Sequence, residues 1–156
     1  MPRCTRSHRT LTAGAPTMIT TTANLTLVRA TATAAVVGLV GIALFQLALA
    51  LGAPLGQAAW GGTHTGSLPH RLRIASALAV LVWAGAAMLV IRRAGFGMLA
   101  MPEAVARWGT WILFGLLLLG ALMNVASSST WERYLWGPYA LIVAVLCFAV
   151  ARSNVT

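Results

Sequence analysis

The chain has 156 residues, 59% of them hydrophobic and 8% charged, with a net charge of +9 and a mean hydropathy of +0.83. An ordinary soluble domain carries about 25% charged residues, so thirteen charges cannot clothe a water-facing surface, and a soluble fold is excluded. The positive balance does not indicate nucleic acid, because the arginines stand at the ends of apolar runs rather than forming a stripe on one face.

Residues 1–29 are polar and threonine-rich without apolar periodicity, which predicts a disordered tail. Met18 is an alternative start, with residues 1–17 a dispensable extension. Beyond Arg29, uncharged stretches run to Arg71, from Arg73 to Arg92, from Arg107 to Glu132 and from Arg133 to Arg152. A helix needs about 20 mostly apolar residues to cross a hydrocarbon core, and each gap holds one span, at 30–52, 72–91, 108–127 and 137–151. Two-residue alternation is absent, so the expected fold is an all-α, four-helix transmembrane bundle rather than a barrel. Ala48-Leu49-Ala50 resembles a signal-peptide cleavage site, but the apolar run before it is too long for a typical signal sequence.

Punctuation agrees with the spans. Gly52-Ala53-Pro54 ends the first, Pro69 and Pro102 suit the starts of the second and third, and Glu103 stands four residues before Arg107 in the order that favours an ion pair. Ser129-Thr130-Trp131-Glu132 fits a capping box, so a helical turn is expected before Pro138. Residues 153–156 form a short second tail.

Arginine counts set the expected orientation. Arg3, Arg6, Arg9, Arg29, Arg92, Arg93, Arg107 and Arg152 fall on one side, and Arg71, Arg73 and Arg133 on the other. The richer side is expected to be cytoplasmic, placing both termini inside the cell membrane. Trp108 and Trp111 at one interface, and Trp60, Trp131, Trp136 and Tyr139 at the other, read as aromatic belts. Trp83 falls mid-span on a stripe with Ala75, Ala79 and Ala87 that reads as helix packing, and Gly38 with Gly41 and Gly115 with Gly120 offer further close approaches.

Polar residues within or beside the spans gather toward the outer side. Gln46 and Asn124 lie near span ends, and His64, His70, Arg71, Arg73, Glu132 and Arg133 lie in or beside the outer loops. These eight are the candidate binding residues. They serve either as interhelical hydrogen bonds or as a site facing outward, and Glu132 is expected to pair with Arg73. His64, His70 and Glu132 also form the weak basis of an enzyme reading; their spacing matches no metal motif, and no cofactor is implied. Cys4 and Cys147 form no CxxC pair. No ionisable residue stands mid-span, so the usual machinery of a proton-coupled transporter is missing.

Two segments, Trp60-Gly61-Gly62 with the residues to Arg73, and Trp131-Glu132-Arg133 with those to Pro138, carry a resemblance. The chain resembles small four-span integral membrane proteins of GC-rich bacteria with W-G-rich and W-E-R-like outer loops, over about residues 30–152. That resemblance implies topology and no functional residues. Arginine without lysine, beside abundant Ala and Gly, fits such a genome. The sequence thus leads to a non-enzymatic, structural or accessory membrane protein. Its partners are the lipid bilayer and either a second copy or another membrane protein, and nucleic acid is not among them. The competing reading is a small transporter subunit or a binder of an anionic lipid or solute.

Overall fold

The computed structural model describes residues 15–97 and 100–153 of the chain. Four α-helices follow one another: α1 (Ala15–Leu51), α2 (His70–Arg93), α3 (Glu103–Ala126) and α4 (Gly137–Arg152). No strand occurs among the described residues. All four are long and apolar enough to cross a membrane, over Thr22–Leu51, His70–Arg93, Glu103–Ala126 and Glu132–Arg152. The helix that carries the first candidate span begins before residue 30, and residues 15–29, expected in a disordered tail, are helical. Thr26, Thr31 and Thr33 fit that helix because each hydroxyl donates to the carbonyl four residues back. The rest of that tail, with Cys4, and residues 154–156 lie outside the described residues.

The chain reverses where glycine permits a positive φ. Gly52 (φ 93°) ends α1, its N–H donating to Leu49 O while that of Ala53 donates to Ala48 O. Gly95 (φ 73°) ends α2 with the equivalent pair of bonds, to Arg92 O and from Phe96 N to Ile91 O. Both are Schellman closures, which satisfy carbonyls that the helix itself leaves open. Pro69 and Pro102 precede α2 and α3 with extended ψ, as their position before a first turn requires. The fourth span is lengthened by a π-helical turn over Glu132–Trp136 that runs directly into α4. Ser129 makes half of the expected capping box, its Oγ accepting from the Glu132 N–H at 3.4 Å, while the Glu132 side chain points elsewhere.

The helices form a ring in which α1 packs most extensively on α2 and α3 on α4. The fully buried centre includes Leu39, Val90, Leu117, Ala144, Cys147 and Val150. Outside, Val37, Leu44, Leu81, Ile112 and Leu122 are exposed, the distribution expected where lipid is the solvent. Close approach then does the work that the hydrophobic effect does in water. At Gly38 a Cβ would stand 2.6 Å from Val143 Cγ2, and the Tyr139 hydroxyl donates to Gly38 O at 2.9 Å. Gly109 likewise admits the Leu89 side chain between α2 and α3.

One end of the bundle, the cap end, carries the α1–α2 and α3–α4 connections. The other, the arginine end, carries the C-termini of α2 and α4 and the start of α3, with Arg29, Arg92, Arg93, Arg107 and Arg152.

Candidate functional site: a cavity beneath the cap

The Trp60-Gly61-Gly62 and Trp131-Glu132-Arg133 segments come together at the cap end. Residues 60–62 have positive φ throughout (Trp60 53°, Gly61 78°, Gly62 69°), and this turn presents the Gly61 N–H to Oε1 of Glu132 at 2.9 Å. The Ser127 hydroxyl donates to Oε2 of the same carboxylate, and Ser129 Oγ donates to Gln57 O at 2.8 Å. Gly62 packs so closely on Ser129 that a Cβ would stand 2.8 Å from the serine Cβ. Glu132 is 8% exposed, and no cation pairs with it among the described residues.

Below this clasp lies a cavity of about 700 Å³. Its walls are Ile42 and Phe45 of α1, Val82 and Trp83 of α2, Leu113, Leu116, Leu117 and Gly120 of α3, and Tyr139 and Ala140 of α4. Its cap end holds Gln46, Trp60, Asn124, Ser127, Glu132 and Trp136. Gln46 Oε1 and Trp136 Nε1 are both buried without a hydrogen-bond partner among the described residues. The cavity exists because α2 and α3, packed closely at Leu89 and Gly109, have no such contact at Gly120, where a Cβ meets nothing within 4 Å. Val82, Leu116 and Met123, which line it from α2 and α3, are exposed, Met123 at 66%.

Of the eight candidate residues, Gln46, Asn124 and Glu132 meet at this cavity and the other five do not. Arg73 does not pair with Glu132: its Nε donates to Ala50 O at 3.0 Å, and its guanidinium lies against Gly52. A cation at the C-terminal end of α1 complements the helix dipole, which explains the preference. Arg133 donates to Ser127 O at 2.8 Å, and Arg71 and His70 are exposed in the first turn of α2. His64 Nδ1 lies 3.0 Å from Thr63 Oγ1. Among the described residues no three His, Cys, Asp or Glu stand close enough to hold a metal ion, so the His64, His70 and Glu132 constellation is not assembled.

Sequence reasoning missed Trp136 and Tyr139, which turn inward instead of joining an interfacial belt. Trp136 lies against Phe45, with ring centroids 4.2 Å apart, and Tyr139 reaches α1. The signal was available in Gly41, whose lack of a side chain makes room on α1 for the Tyr139 hydroxyl that donates to Gly38 O. No protein family, curated protein or solved structure matches the chain.

Proposed function

We propose that this is a non-enzymatic protein of the cell membrane, both termini cytoplasmic, that holds an amphipathic small molecule with a cationic, hydrogen-bond-donating head in the cavity beneath the cap. The observation that carries the reading is the cavity of about 700 Å³, apolar along its walls and closed at one end by a buried, cation-free carboxylate. Ligand sites commonly occupy about 300–1,000 Å³, with a few polar groups fixing orientation in an apolar wall. A buried polar atom without a partner costs about 1–3 kcal/mol, so the orphan Gln46 Oε1 favours an occupant that donates to it.

A purely structural role fits less well. Interhelical glue would bond Gln46 across to a neighbouring helix, yet its Oε1 meets none. An anionic ligand fits less well too, since Arg71, Arg73 and Arg133 stand outside the cavity while the acid lines it. The orientation rests on Arg29, Arg92, Arg93, Arg107 and Arg152 at one end against Arg71, Arg73 and Arg133 at the other.

The test is binding of a fluorescent long-chain alkylamine, and of the fatty acid of the same length, to the protein in a neutral detergent. Hydrogen bonds to charged groups contribute about 1.5–3 kcal/mol, so the amine should bind roughly tenfold tighter or better. Glu132→Gln should erase that preference. A wild-type preference for the fatty acid would reject the cationic head.

A further inference from the structure

A second pocket, of about 340 Å³, lies at the arginine end, lined by Arg93, Arg107, Trp108, Trp111, Ala151 and Arg152. Three arginines from three helices line it, with no carboxylate in salt-bridge reach among the described residues. Glu103, the other of the chain's two acids, was expected to pair with Arg107. Instead the Arg107 guanidinium sits over the Trp108 ring at 5.6 Å, and that of Arg152 over Phe148 at 5.6 Å. Stacking of this kind orients a guanidinium without neutralising it.

Arg93 is the most constrained of the three. It is 6% exposed and its Nη2 donates to the carbonyls of Ala151 and Ser153, closing the end of α4. Its Nε is buried with no acceptor among the described residues. A buried charged donor left open, beside two further uncompensated cations, calls for an acceptor that carries negative charge.

The place of the pocket narrows the choice of acceptor. It lies where the C-termini of α2 and α4 and the start of α3 come together, the level of the headgroup layer for helices that cross a bilayer. Beside it Trp108 is 61% exposed, and the Trp111 ring meets Phe148 edge-on at 5.7 Å, continuing an aromatic surface from the pocket along α3 and α4. That surface suits the first methylenes of an acyl chain, and basic pockets between membrane helices are known to take anionic headgroups. We infer that Arg93, Arg107 and Arg152 form a binding site for the phosphate of an anionic phospholipid, whose acyl chains lie over Trp108, Trp111 and Phe148.

This inference is independent of the cavity beneath the cap and of its occupant. It is tested by native mass spectrometry of the full chain after equilibration with equal amounts of phosphatidylglycerol and phosphatidylcholine, alongside thermal unfolding with each lipid and with inorganic phosphate. Phosphatidylglycerol should be retained preferentially and should raise Tm. Arg107→Gln with Arg152→Gln, which leaves Arg93 to close α4, should weaken that retention roughly tenfold or more. Arg71→Gln with Arg133→Gln, at the other end, should leave it unchanged. Should the first double variant fail to fold, Arg107→Gln alone, at an exposed position, serves and should still weaken retention. Equal retention of the two lipids, or unchanged retention in the folded arginine variants, would overturn the site. Stabilisation by inorganic phosphate equal to that by phosphatidylglycerol would assign the pocket to a free anion and overturn the lipid.

Discussion

Gly61 and Glu132, separated by 71 positions in sequence, are joined by a 2.9 Å hydrogen bond from the glycine N–H to the buried carboxylate. This bond and that of Ser129 to Gln57 O tie the α1–α2 connection to the α3–α4 connection and roof the cavity. The roof depends on a backbone conformation that side chains resist. Gly62→Ala places a Cβ at φ 69° and against Ser129, so it should lower stability in detergent by about 1–3 kcal/mol, read by thermal unfolding.

Glu132 and Arg73 share no hydrogen-bond partner, the one bound to Gly61 and Ser127, the other to Ala50 O. Glu132→Ala and Arg73→Ala should each destabilise, Arg73→Ala by about 1 kcal/mol through loss of its bond at the end of α1. Their effects should add within about 0.5 kcal/mol in the double variant. A strong coupling in that cycle would restore the ion pair that the charge pattern alone predicts.

Gly38 of α1 and Gly115 of α3 should respond differently to the same added methyl. Gly38→Ala forces a methyl into Val143 across the α1–α4 contact and should cost about 1–3 kcal/mol. Gly115 has open space where its Cβ would be, so Gly115→Ala should be neutral or stabilise by about 0.5–1 kcal/mol through helix propensity. Thermal unfolding of the two variants side by side decides it.

Single cysteines at Thr65, Ser128 and Ser153, in a cysteine-free background, test the orientation. A membrane-impermeant maleimide applied to intact cells should label the first two and spare Ser153. Labelling of Ser153 with sparing of the other two would invert the bundle.

The four spans were legible because bilayer thickness imposes a length that uncharged gaps reveal directly, and Gln46, Asn124 and Glu132 were legible as polar residues toward one end. What the sequence hid depends on three-dimensional approach. Trp136 and Tyr139 have interfacial positions in the chain, but the room left at Gly41 and the ring of Phe45 draw them inward. Arg73 had a plausible acid in Glu132 and also a helix end within reach, and charge counting sees only the first. The π turn at Glu132–Trp136 shifts the register of the segment entering α4, and no residue pattern announces it. The cavity was hidden most completely, since it arises where Gly120 leaves α3 uncovered instead of where a helix packs on it.

That same glycine gives the most direct measurement. Gly120→Leu meets nothing within 4 Å at its Cβ, favours the helix, and directs a side chain into the space beneath the cap. The variant should unfold at the wild-type temperature or above it, and should show no binding of the alkylamine probe at concentrations that saturate the wild type. A folded Gly120→Leu protein that binds the probe with unchanged affinity would contradict the assignment of the cavity as the binding site.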